Sequence, residues 1–203
     1  MKFKPLLWLL PCCALFATMA HAQAVSKTAV QQLVNTVSQQ GSVKLAAEQE
    51  KQMVTWLNIY GESIRNVHPS SFKPEVLVEM TGRFRNADNA APAPAPAAAT
   101  TNGYTWHDVR FAESDTALYV FLMDVPQGDM RIKALHTAIN GRIIGTVKLL
   151  GSTERMSWEQ EERELLLEKP HVLPKDGVVV FKITWTTYYK EKPRDPSIKI
   201  LEP

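Results

Sequence analysis

The chain has 203 residues, of which 45% are hydrophobic and 22% charged, a globular composition of about one ordinary domain. Its formal charge of +2 rests on Lys2 and Lys4; without the first 22 residues, 21 basic face 21 acidic residues. A balanced chain offers neither the basic footprint of a nucleic-acid binder nor the face wanted by an anionic membrane, so both classes are set aside.

The opening MKFKPLLWLLPCCALFATMAHA reads as a secretory signal peptide over residues 1–22. Lys2 and Lys4 form the charged start, Leu6 to Ala20 the apolar stretch, and Ala20-His21-Ala22 a small-x-small cleavage site. The stretch contains Pro11 and falls short of the roughly 20 apolar residues that span a bilayer. The expectation is an exported protein, periplasmic or extracellular, with no membrane span after cleavage. Both cysteines, Cys12 and Cys13, lie in the removed segment. A lipid-modified cysteine is the alternative, to which Pro11 is a poor fit. The mature chain then has no disulfide, thiol nucleophile or thiolate metal site.

Val30, Leu33, Val34 and Val37 recur at helical spacing and predict a first helix. Gly41 and Ser42 break it, and Ser42 is placed to cap a second helix from Val43 to Tyr60. Leu45, Met53, Trp56, Leu57, Tyr60 and Ile64 form the second helix's apolar face, with Glu48, Glu50 and Lys51 toward water. Gly61 suits its end. Residues 23–69 are therefore expected to form a helical hairpin. Residues 70–103 follow as an irregular segment, with one candidate strand at Val76–Met80 and a linker in which Pro92, Pro94 and Pro96 alternate with alanine.

Residues 104–190 read as β, and 191–203 as a polar tail. Asp108–Ala112 and Ala117–Val125 flank a polar turn. In Met130–Thr137 the residues Met130, Ile132 and Ala134 alternate with Arg131, Lys133 and Leu135. Asn140-Gly141 is a strong hairpin signal leading into Ile143–Leu150. Trp158 and Leu165–Leu167 mark two short strands, and Gly177–Tyr188 a long one rich in β-branched and aromatic residues. Short strands at such spacing predict a mainly β fold: an antiparallel β-sandwich preceded by the hairpin.

Three blocks carry a family resemblance. Trp56-Leu57-Asn58 with Gly61-Glu62-Ser63-Ile64 resembles a segment on the last barrel helix of the glycoside hydrolase family 29 α-L-fucosidases. Tyr104 to Phe111, with Leu118-Tyr119-Val120, resembles that family's entry into its C-terminal β-sandwich. Val147 to Ser152 with Met156, Trp158 and Val179–Ile183 resembles its closing "V.LLGs…l.W…lKI" pattern. The resemblance implies the end of a catalytic barrel followed by the C-terminal sandwich. In the family, the aspartate nucleophile and the acid/base carboxylate sit in the barrel, and neither maps onto a position here. Arg65 also stands where the family usually has tyrosine.

Retaining glycoside hydrolysis needs two carboxylates about 5–5.5 Å apart. The densest acidic run, Glu159, Glu161, Glu162 and Glu164, comes with Arg155 and Arg163 and reads as a solvated loop or turn; Asp108, close to Arg110, reads as half of a structural ion pair. No acid is taken as catalytic. His68, His107, His136 and His171 lack metal-ligand spacing, so no metal and no cofactor is expected. Among the aromatics, Trp158 and Trp185 read as core, while Tyr188, Tyr189 and Trp106 are the candidate ligand-binding residues, since sugars stack on exposed rings. The stripe Met53, Trp56, Leu57 and Tyr60 needs a cover: the cheaper arrangement has the two helices cover each other and dock on the sandwich, and otherwise the stripe is the candidate interaction face for self-association or a partner. The expected function is an exported noncatalytic module binding a carbohydrate or protein partner, or a fucosidase remnant. The alternatives are a fucosidase component active only with a separate catalytic barrel, and a structural envelope protein.

Overall fold

The computed structural model describes residues 26–77, 103–137, 142–174 and 177–186. The segments read as signal peptide, Pro/Ala linker and polar tail, together with Tyr188, Tyr189 and the Asn140-Gly141 turn, lie outside these residues, except Gly103 at the linker's end.

Helix α1 (Lys27–Gln40) forms where the apolar spacing predicts it and buries Val30, Leu33, Val34 and Val37. Its first turns are tied down by Lys27 Nζ, 2.6 Å from Asp124 Oδ2, and by Gln31 Nε2 donating to the Met123 carbonyl at 2.6 Å. The expected second helix is two: α2 (Ala47–Gln52) and α3 (Val54–Tyr60), joined at Met53. β-Branched Val54 and Thr55 crowd a preceding helical turn, which favours the break there. The break re-aims the chain, since α2 buries none of its residues whereas α3 buries Trp56, Leu57 and Tyr60. Ser42 does not cap α2. Its hydroxyl instead accepts from the Val67 amide at 2.7 Å and donates to the Val67 carbonyl at 2.8 Å. Gly61 keeps helical dihedrals and continues into a 3-10 turn, Gly61–Ser63; the chain reverses only at Asn66, φ 55°.

Among the described residues nine strands build two antiparallel sheets. They are β1 (His68–Pro69), β2 (Glu75–Val76), β3 (Asp108–Glu113), β4 (Leu118–Leu122), β5 (Met130–Ile132), β6 (Ile144–Leu149), β7 (Trp158–Gln160), β8 (Leu165–Leu167) and β9 (Val179–Trp185). The larger sheet runs β1-β3-β4-β9-β6, with β2 also paired to β3; the smaller runs β5-β8-β7. The fold is an antiparallel β-sandwich. Among the described residues β5 and β6 do not pair with each other, as a hairpin around Asn140-Gly141 would have them do: β5 pairs with β8, while β6 pairs with β9 in the other sheet. The chain there crosses between sheets. Gln160 ties the crossing together, accepting the Ile144 amide at 2.9 Å and donating to the Leu135 and Arg142 carbonyls, each at 3.2 Å. The alternation over Met130–Thr137 also stops early, because Lys133–Leu135 turns into a 3-10 helix and brings Leu135 into the core beside Ile132.

Two cores share the larger sheet. Between the sheets lie Val109, Phe111, Leu118, Val120, Leu122, Met130, Ile132, Leu165, Leu167, Phe181 and Ile183. On the opposite face Tyr119, Phe121, Met123, Val178 and Val180 pack against Val34, Val37, Trp56, Leu57, Tyr60 and Ile64. The helices therefore form a third layer docked on the sheet, the cheaper of the two expected arrangements. Strand β4 is buried on both faces, which accounts for its unbroken apolar run. Segments 23–69 and 104–190, expected as separate units, share this second core.

Candidate functional site

Strand β6 is the last of its sheet and pairs only with β9 among the described strands. The Leu150 amide donates to the Val180 carbonyl at 2.9 Å, which sets the phase of the ladder. In an antiparallel pair the bonding direction alternates, so the backbone groups of Val147 and Leu149 face away from β9. The Leu149 carbonyl is taken up by the Ser152 amide at 3.3 Å; the turn follows through Gly151, φ 79°. A Cβ at Gly151 would lie 2.6 Å from Ile59 Cγ2, so only glycine lets this turn sit against α3.

The returning segment 152–157 leads into β7 and leaves a cleft of about 730 Å3 between itself and the β6 edge. Gly145 to Lys148 form one wall, and Ser152 to Trp158 the other. Buried Met156 lines it, and Trp158, half-buried, packs its inner side against the inter-sheet core. The polar groups are the hydroxyls of Thr146, Ser152, Thr153 and Ser157, with Lys148, Glu154 and Arg155. Thr146 shares a 2.7 Å hydroxyl contact with Thr184, and the Ser152 hydroxyl accepts the Glu154 amide at 3.0 Å.

Glu154 is committed elsewhere. One carboxylate oxygen accepts the His171 amide at 2.9 Å and its Nδ1–H at 2.8 Å; the other accepts the Val172 amide at 3.1 Å. The His171 amide, then the His171 ring, hold the Glu154 carboxyl below its ordinary range. In return the hydrogen bond to Glu154 raises the His171 imidazole above its own. A second groove, about 430 Å3, lies between α1 and residues 43–53, with Leu33, Val43, Leu45 and Met53 on its walls and only neutral polar neighbours.

The residues singled out from sequence do not converge on either cleft. Trp106 is 8% exposed and lies in the inter-sheet core, stacked on His107 at 3.9 Å, so its face is not open to a sugar. Met53, Trp56, Leu57 and Tyr60 are each less than a tenth exposed. They are covered by the chain's own second core, so they do not present an interaction face; burial pushes the Tyr60 hydroxyl up. Tyr188 and Tyr189 lie outside the described residues. Trp158 and Trp185, read as core, are half-buried and packed against it. The cleft role of Trp158 was not evident in the sequence, where only the polar run Ser152–Ser157 before it marks a surface turn.

The carboxylates have structural partners. Asp108 accepts from the Thr105 amide and hydroxyl at 2.8 and 3.0 Å, rather than pairing with Arg110. Arg110 reaches Asn35 Oδ1 at 3.3 Å and lies 5.2 Å over the Tyr104 ring. Glu164 pairs with Arg131 at 3.2 Å, and Glu113 with Arg142 at 3.6 Å. Burial raises the Glu75 carboxyl, which accepts the Ala134 amide at 3.2 Å. Glu62 Oε2 lies 2.6 Å from Lys182 Nζ and 3.4 Å from Tyr119 Oη, joining the 3-10 turn after α3 to the sheet. Among the described residues no group of His, Cys, Asp and Glu could hold a metal ion, and no helix is long and apolar enough to cross a membrane.

No family model and no curated protein matches the chain. Among solved structures it is similar to the α-L-fucosidase isoenzyme 1 from Paenibacillus thiaminolyticus, at 17% identity and a TM-score of 0.48, covering 79% of this chain and 34% of that one. A Thermotoga maritima α-L-fucosynthase gives 17% identity and 0.49 over 79% and 33%. A family 29 α-L-fucosidase from Bacteroides thetaiotaomicron gives 12% and 0.48 over 79% and 32%. The chain spans about a third of the length of these structures.

Proposed function

We propose that the chain is a noncatalytic binding module that holds a saccharide in the cleft along β6. The observation that carries this reading is the make-up of that cleft. It sets one indole, Trp158, beside four hydroxyl-bearing residues and the backbone groups of Val147 that face away from β9. A sugar ring offers an apolar face for an indole and a rim of hydroxyls for polar groups, and binding clefts commonly combine both kinds of wall. The volume lies within the range of small-molecule sites, roughly 300–1,000 Å3. Export, expected from residues 1–22, would place the module among extracellular or envelope glycans.

The noncatalytic part is supported by the carboxylates. Glu62, Asp108, Glu113, Asp124, Glu154 and Glu164 each hold a cation or a hydrogen-bond donor of the fold, so none is left as an acid–base pair over the cleft. The family resemblance of the three sequence blocks makes fucosylated oligosaccharides the first to test. Isothermal titration of the full chain with a panel of neutral, fucosylated and acidic oligosaccharides should give binding to at least one, lost in Trp158→Ala. Binding unchanged by that substitution would remove the cleft from the account. Turnover of an aryl α-L-fucoside, surviving repurification, would overturn the noncatalytic reading.

A further inference from the structure

We propose that the β6 cleft selects anionic saccharides over neutral ones, an inference that rests on the saccharide-binding reading above. Three charged side chains line the cleft: Lys148, Glu154 and Arg155. The one acid is already occupied, with both carboxylate oxygens on the His171 and Val172 donors. Lys148 stands directly opposite Lys182 in the β6–β9 ladder. Like charges facing each other across strands are unfavourable unless something neutralises them. Lys182 has Glu62 at 2.6 Å, whereas Lys148 has no carboxylate partner among the described residues. Arg155 has no carboxylate partner among the described residues.

Two cations therefore line the cleft without a carboxylate partner among the described residues, one on each wall, beside the hydrogen-bonded Glu154 carboxylate. An edge lysine by itself deters the pairing of a further strand, and that is the plainest alternative for Lys148. Arg155 sits in the returning loop, outside the ladder, where that role does not exist. Its guanidinium presents a planar fork of donors matched to a carboxylate or sulfate, and is more weakly hydrated than an ammonium. The Val147 amide, which faces away from β9, adds a neutral donor on the β6 wall. An acidic group on a sugar would meet these donors while its ring lay against Trp158.

The test compares matched sugars on the intact chain by isothermal titration: galactotriose, trigalacturonate and 6-O-sulfated galactotriose. At low salt at least one anionic sugar should bind about tenfold tighter than galactotriose, and the difference should shrink as salt is added. The two anionic arms tell carboxylate from sulfate recognition. Lys148→Gln with Arg155→Gln should bring the affinity for the anionic sugar down to that of galactotriose measured on the same double variant. Both residues are on the surface, and an unchanged melting temperature confirms the fold. Equal affinity for neutral and anionic sugars would overturn the inference and leave the binding module standing. Absence of binding to all three sugars and to the wider panel would overturn both.

Discussion

Replacing Gly41 by alanine should destabilise the chain by about 2–4 kcal/mol. Gly41 has φ 84° and ψ −152°, a conformation essentially confined to glycine. A Cβ there would lie 2.9 Å from the Val67 carbonyl oxygen and 3.2 Å from His68 Cα, both main-chain atoms that cannot swing aside. The neighbouring contacts prevent relaxation. The Ser42 amide and hydroxyl both donate to the Val67 carbonyl at 2.8 Å, and the Val67 amide donates back to Ser42 Oγ at 2.7 Å. Backbone strain of this kind costs roughly 1–3 kcal/mol. Loosening one or two of the bonds adds about 0.5–1.5 kcal/mol each. For a chain of this size the melting temperature should fall by roughly 5–12 °C. Urea unfolding of Gly41→Ala should show a lower midpoint with an unchanged slope. Gly128→Ala is the control, because a Cβ there meets nothing within 4 Å. A Gly41→Ala stability within about 0.5 kcal/mol of the parent chain, the size of an ordinary surface substitution, would refute the clamp between α1 and β1.

Other predictions follow from single contacts. Gln160→Ala leaves the Ile144 amide and the Leu135 carbonyl without their partner and should cost about 1–3 kcal/mol in urea unfolding. Phe121→Ala removes a ring with no exposed surface from beneath the helices and should cost about 3–5 kcal/mol. An NMR titration should place the His171 pKa above that of a free imidazole, and Glu154→Gln should bring it down. The stabilising contribution of His171 is fully present below its unfolded pKa and is lost as pH rises through the raised folded one. Glu154 works in the opposite sense: its contribution is present above the unfolded carboxyl pKa and lost as pH falls through the depressed folded one. The contact is therefore complete only between these limits. Both groups lie at the surface, so the titration curve is the better readout than global stability.

Much of the local structure was legible because it depends on near neighbours. Val30, Leu33, Val34 and Val37 show their helix by spacing alone, and the runs that became β3, β4, β7, β8 and β9 are bounded by turn residues on either side. What was not legible depends on partners distant in the chain. Asn140-Gly141 carries turn chemistry, but nothing local says that β6 would choose β9 and β5 would choose β8. The helices read as a hairpin because their stripes are complementary to any apolar surface. The signal that they cover a sheet was the run Leu118–Met123, which has no alternation because β4 is buried on both faces. The cleft stayed hidden for the same reason. Its walls are close in sequence, but its existence depends on β6 being the last of the described strands in its sheet, and the hydrogen bonding of Glu154 depends on His171, seventeen residues away. Trp106 is an indole like Trp158; only the packing of the sheets buries its face and leaves Trp158 at the edge.

The most direct measurement is an amide NMR titration of the isotope-labelled chain with the oligosaccharide that binds best, or with each of the panel at saturating concentration. The account predicts shift changes confined to residues 145–158 and 171–172, with the Trp158 indole resonance among the largest. No shift at any sugar concentration, or changes centred on Leu33, Val43 and Met53 in the groove between the helices, would contradict it.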